Sequence, residues 1–149
     1  MYIIILSVKG SNVKKTINKK TIIKDLTFKF PKNEIILIEG SNGCGKSMML
    51  KMIVGLIKPT SGSIKVNGKI SYAPDYLPST INLTIREYLD FLDNIYSNNE
   101  HNIEDLIIYF KLNNLLDRRL NLCSKGTKQK VNLIQCLIKN ADIYILDEP

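Results

Sequence analysis

The chain has no tryptophan, one histidine and three cysteines among its 149 residues. Cys44, Cys123 and Cys136 are odd in number and form no C-x-x-C pair, so neither a disulfide framework nor a zinc site is indicated, and a reducing compartment is their simplest setting. No run approaches 18 consecutive apolar residues, so no membrane-spanning helix is expected. The apolar opening from Met1 to Val8 lacks a basic n-region and is too short for a signal peptide. Acidic residues are the minority, 14 against 21 basic ones, for a formal charge of +7. The lysines are nevertheless scattered, with Lys14-Lys15 and Lys19-Lys20 their nearest approach to a cluster, and the abundance of Asn and Ile beside them fits a coding bias better than a nucleic-acid face. His101 lies in a polar link and reads as a solvated surface residue. Repeats and low-complexity segments are also missing. What remains, 44% apolar and 23% charged, is the composition of a globular domain long enough to build a core.

Against this background one stretch stands out, Gly40-Ser41-Asn42-Gly43-Cys44-Gly45-Lys46-Ser47. It fits G-x-x-x-x-G-K-[ST], and its context is right for a phosphate-binding loop. The apolar run Ile35-Ile36-Leu37-Ile38 before it predicts a buried strand. Behind it, Met49, Met52, Ile53 and Leu56 recur at i, i+3, i+4 and i+7, predicting a helix that ends near Lys58, ahead of Pro59. Glycines at 40, 43 and 45 let successive N–H groups turn inward around an anion, and the helix N-terminus adds unsatisfied N–H groups and partial positive charge. Lys46 can then reach the β- and γ-phosphates of a nucleotide, and the Ser47 hydroxyl can ligate Mg²⁺.

Around this unit, Tyr2 to Val8 predicts a first strand, Lys9 to Lys20 a polar turn or hairpin tip, and Ile22, Leu26, Phe28 and Phe30 a second strand. Ser63 to Val66 and Lys69 to Ala73 predict a hairpin around Asn67-Gly68. Thr84-Ile85-Arg86-Glu87 matches a capping box, and Ile85, Tyr88, Leu89 and Leu92 supply its helical stripe. Asn98 and Asn99 break that pattern. Ile103, Leu106, Ile107 and Phe110 mark a second helix, and residues 84–122 together read as a small helical insert. Val131, Ile134 and Ile138 place a third helix over residues 125–139. Ile143-Tyr144-Ile145-Leu146 closes the chain as a buried strand, with Asp147 and Glu148 at the end where ligands gather in open α/β sheets. Asp147 suits a Mg²⁺ shell, and Glu148 is placed to polarise an attacking water.

In order and wording these motifs resemble the ATP-binding subunits of ABC transporters. Beyond residues 40–47 and 141–149, the matching stretches are Lys58-Pro59-Thr60-Ser61-Gly62-Ser63-Ile64, Ile70-Ser71-Tyr72-Ala73-Pro74-Asp75, Leu83-Thr84-Ile85-Arg86-Glu87 and Ser124-Lys125-Gly126-Thr127-Lys128-Gln129-Lys130. The likeness covers most of residues 20–149. It implies an α/β, P-loop NTPase of ABC type, with N-terminal antiparallel strands in a mixed sheet and a small helical subdomain. It further implies that residues 40–47 bind the triphosphate of ATP with Mg²⁺, and that Ser124 and Gly126 contact the γ-phosphate held by a second such subunit in a head-to-tail dimer. Asp147 would support Mg²⁺ and Glu148 would act as catalytic base. The helical insert would dock on a membrane-spanning permease, placing the subunit in the cytoplasm on the inner face of the membrane. A soluble ABC ATPase and a binding module without turnover are the alternatives.

The sequence departs from the family pattern in four places. Asp75 stands where the family usually has Gln, close to metal and water. Lys125 and Thr127 replace the common Gly and Gln of the signature. No aromatic lies between Val8 and Ile23 to stack on adenine, leaving Val13 or Ile17 for that contact. The chain also stops at Pro149, where the family continues with a strand and a histidine. The C-terminal part of the core is therefore expected to be missing, and the 149-residue chain alone is expected to be inactive.

Overall fold

A computed structural model describes residues 6–78, 80–96 and 102–148. His101, Asn98, Asn99 and most of the first expected strand lie outside them. The chain divides between Gly68 and Lys69 into two compact units.

The first unit is built on a three-stranded antiparallel sheet in the order β2-β1-β3, with β1 at Leu6–Ile17, β2 at Lys20–Pro31 and β3 at Ser61–Val66. Residues 9–17, expected as a turn, are strand. The reversal takes only Asn18 and Lys19, both at positive φ (46° and 65°), between the paired Ile17 and Lys20. That is the left-handed geometry of a two-residue hairpin turn, which asparagine tolerates. Four register shifts along β1 and β2 break the even alternation by which a strand is recognised. Val8, Val13 and Ile23 point into this unit's core.

Helix α1, Lys46–Ile53, buries Met49, Leu50, Met52 and Ile53. It stops five residues short of Lys58 because Gly55 turns left-handed at φ 81° just beyond its end, the usual way a glycine terminates a helix. Leu56 consequently falls off the stripe and is exposed. The run before the loop also differs from expectation. Residues 34–40 form no strand, and Ile35 and Leu37 are 102% and 79% exposed. A strand is buried by its neighbours, and none of the three strands of this sheet pairs with the run.

In the second unit, β4 (Ile70–Ala73) and β5 (Ile143–Leu146) pair in parallel, with Ala73 opposite Leu146. The expected hairpin around Asn67-Gly68 is absent, since β3 and β4 belong to different sheets. Strand β5 is buried on one face only: Ile145 is inside, while Tyr144 and Leu146 are exposed. Helix α2 (Ile85–Ile95) opens on the capping box as read. Thr84 Oγ1 accepts from the Glu87 N–H, and the Thr84 N–H donates to Glu87 Oε2. Helix α3 (Ile103–Tyr109), two short 3₁₀ turns and helix α4 (Lys125–Leu137) follow. Ile85, Leu89, Ile107, Leu112, Leu120, Val131 and Ile134 form one continuous core. The Ser71 hydroxyl, fully buried on β4, donates to the Cys136 carbonyl at 2.7 Å and ties the strand to α4.

Candidate functional site

In the first unit the loop at 40–47 is curled as its glycines require. Gly43 and Gly45 have φ of 77° and 105°, and a Cβ on Gly45 would come within 3.1 Å of the Ile23 side chain. Only glycine satisfies both demands. The Cys44 N–H donates to the Ser41 carbonyl at 3.2 Å. The Lys46 ammonium folds back over the loop, donating to the carbonyls of Gly40 (2.8 Å) and Ser41 (3.2 Å). Lys46 opens α1, so loop N–H groups, helix N-terminus and ammonium belong to one short segment suited to phosphate. Gly40, Ser41, Asn42, Gly43 and Cys44 are exposed, and Ser47 lies in the first turn of α1.

Of the two residues offered for adenine, Val13 is 0% exposed and has no surface for a base to rest on, which removes it. Ile17 keeps 39% of its surface. The strand reading of residues 9–17 explains the difference, because Val13 faces the core and Ile17 sits at the hairpin tip.

In the second unit carboxylates from two distant stretches of sequence follow the paired tips of β4 and β5. Asp75 follows β4 by two residues, and Asp147 and Glu148 follow β5 directly. The Asp147 N–H continues the ladder to the Ala73 carbonyl at 3.0 Å, and its carboxylate is buried. The Tyr72 hydroxyl donates to Asp147 Oδ2 at 3.2 Å. Burial first, then the Asp147 carboxylate and its hydrogen bond, then Asp75, push the Tyr72 phenol up to about 12. Tyr72 is the residue that sequence reasoning missed; the parallel alignment that brings it to Asp147 is a tertiary feature. Glu148 is exposed, at a positive φ of 52°.

Helix α4 starts at the same place. Ser124 caps it, accepting from the Thr127 N–H at 3.2 Å, and Gly126 sits in its first turn. Gln129 Nε2 donates to the Glu148 carbonyl at 3.0 Å, Asn132 Nδ2 donates to the Pro74 carbonyl, and the Lys125 ammonium lies 3.8 Å from Asp75 Oδ1. The fold thus gathers Asp75, Asp147, Glu148 and the Ser124–Gly126 turn within one unit. No group of three or more His, Cys, Asp or Glu side chains forms a metal cage among the described residues. Mg²⁺ takes hard oxygen donors one or two at a time, beside phosphate and water, and the buried Asp147 carboxylate is a donor of that kind within this unit.

The sequence profile of the ABC transporter family matches residues 23–149. The chain belongs to the ABC transporter family. It is 34% identical over 142 residues to the zinc import ATP-binding protein ZnuC of Rickettsia bellii, covering 93% of this chain and 60% of that one. It is 32% identical over 152 residues to the ABC transporter ATP-binding protein YybJ of Bacillus subtilis, covering 93% and 69%. Among solved structures, an ATP-binding subunit of an ABC transporter superposes with a TM-score of 0.79 at 26% identity, over 93% of this chain and 65% of that one. An RNase-L inhibitor superposes at 0.80 and 28%, over 97% and 28%. These likenesses bear out the α/β ABC-type fold, with antiparallel and parallel strands in two sheets. The chain spans about three fifths of the length of the zinc-import relatives. Among the described residues, no helix is long and apolar enough to cross a membrane.

Proposed function

We propose that the chain is the nucleotide-binding part of an ATPase subunit that energises transport across a membrane. The observation that carries this reading is the Lys46 ammonium drawn over its own glycine loop, a cation already turned toward the place a phosphate would take. On ATP binding the loop N–H groups would grip the phosphates, and Lys46 would exchange the Gly40 and Ser41 carbonyls for β- and γ-phosphate oxygens. Ser47 at the end of the loop would be a Mg²⁺ ligand of the first unit, and Asp147 and Asp75 would serve as metal-shell residues of the second; the ion when bound offsets charge on the phosphate oxygens. Tyr72, donating to one Asp147 oxygen, fixes how that carboxylate is presented. Glu148, exposed at the strand tip, would take the proton of the attacking water.

In the same reading, Ser124 Oγ and the Gly126 N–H meet the γ-phosphate of a nucleotide held by a second subunit. ATP closes the pair and hydrolysis opens it. The helical subdomain of residues 84–122 would pass that motion to a permease, with the subunit on the cytoplasmic face of the membrane. Relatives named for zinc import make a permease-bound role the better choice over a soluble ABC ATPase.

Phosphate release by the subunit tests the assignment. Glu148→Gln should retain ATP while turnover falls by roughly 10²–10⁴-fold, the usual worth of a general base. Turnover at the parent rate would move the base elsewhere, with Asp75 next in line.

A further inference from the structure

Two of the departures from the family pattern meet in space. Asp75 and Lys125 face each other across 3.8 Å at the edge of a cleft of about 240 Å³, which Lys128, Gln129 and Asn132 also line. Asn132 is 4% exposed, and its Oδ1 atom has no donor; one carboxylate oxygen of Asp75, Oδ1, is likewise shut away from solvent without one. Buried acceptors of this kind normally find a partner. The donors lining the cleft can be taken in turn. Asn132 Nδ2 is committed to the Pro74 carbonyl, Gln129 Nε2 to the Glu148 carbonyl, and the Lys128 ammonium to the Asn121 carbonyl. These groups keep further N–H donors, but the Lys125 ammonium, on a flexible stem and with a side chain 74% exposed, is the one that lies 3.8 Å from Asp75 Oδ1.

Its position makes it exchangeable. Lys125 is the first residue of α4, whose first turn carries no acidic side chain, and a cation there opposes the positive end of the helix dipole. It therefore depends on an outside anion. Asp75 supplies one now, through a contact too long for a hydrogen bond and too exposed to be strong. A polyphosphate at the Ser124–Gly126 turn would be a better one.

We propose that Lys125 is a latch with two seats. Without nucleotide its ammonium moves inward from its 3.8 Å approach to donate to Asp75 Oδ1 and Asn132 Oδ1. A phosphate arriving at the start of α4 draws it out and leaves the Asp75 carboxylate free. The second seat rests on the reading of Ser124 and Gly126 as phosphate contacts; the first does not.

Two measurements on the protein test this. In nucleotide-free protein, ¹⁵N NMR of the lysine ammonium groups should show Lys125 protons exchanging with water several-fold more slowly than those of exposed Lys65, and Asp75→Ala should abolish the difference. Equal exchange rates in the parent protein would overturn the first seat. ATP-driven self-association, followed by sedimentation in EDTA so that any metal role of Asp75 is silent, reads the second. Asp75→Asn should tighten it by about twofold to fivefold, the range of an exposed ion pair. Lys125→Met should weaken it and erase the effect of Asp75→Asn. Independent effects of the two substitutions would overturn the exchange while leaving the nucleotide reading intact. No ATP-driven association even in the parent would remove that reading, and the second seat with it.

Discussion

In the unit that begins at Lys69, apolar residues from α2, α3 and α4 close on one another, and Ile85, Leu89, Ile107 and Ile134 are each 0% exposed. In the unit that ends at Gly68, the apolar stretch Ile35-Ile36-Leu37-Ile38 lies open, and the phosphate loop it leads to is held by short-range contacts within residues 40–47. The contrast follows from how each kind of element finds its partners. A helix satisfies its own backbone and needs only a stripe to dock, whereas a strand needs a neighbour for its N–H and C=O groups before burial is worth anything. The chemistry is divided in the same way. Lys46 and its loop are a local device, while Asp75, Asp147, Glu148 and Ser124 are brought together by the pairing of β4 with β5 and the seating of α4.

Truncating side chains in the two regions should give unequal results. Leu89→Ala removes a fully buried side chain from the helical core and should cost about 2–5 kcal/mol. Leu37→Ala, at 79% exposure, should stay within about 0.5 kcal/mol. Chemical denaturation of the two variants checks this. A loss at Leu37 as large as that at Leu89 would show that the run is buried in solution and would end the comparison.

A smaller effect sharpens the local side of the argument. Thr84→Ala removes the hydroxyl that caps α2 and should cost about 1 kcal/mol, read as a lower midpoint of unfolding. The smallest effect concerns Tyr72. Its neutral form is favoured in the folded chain, so the stabilisation is fully present below the ordinary phenol value near 10 and is lost as pH rises through about 12. Ultraviolet titration should show Tyr72 among the tyrosines that ionise late, beside the partly buried Tyr88, and Asp147→Asn should bring part of that late phase earlier; an unchanged titration would break the Tyr72–Asp147 link.

These contrasts also mark what could be read before the fold was seen. The capping box at Thr84, the stripe of α2 and the α4 core positions Val131, Ile134 and Ile138 were legible because each is written within a turn or two of its own sequence. The phosphate loop was legible for the same reason. The end of α1 was not, although Gly55 carried the signal, because the apolar spacing ran on to Leu56. Strand β1 was hidden by its register shifts and by the polar composition of residues 9–16, and Asn67-Gly68 imitated a hairpin although its flanking strands pair elsewhere. Tyr72 acquires its role only from the parallel register that sets β4 beside β5.

The central claim is that the loop at 40–47 holds a nucleotide through Lys46. Isothermal calorimetry with ATP and Mg²⁺, on the parent protein and on Lys46→Ala, tests it most directly. Loss of a charge-assisted contact worth about 1.5–3 kcal/mol should weaken binding by roughly ten- to a hundredfold, with a cooperative melt confirming that the variant is folded. Equal affinity in the two proteins would contradict the claim.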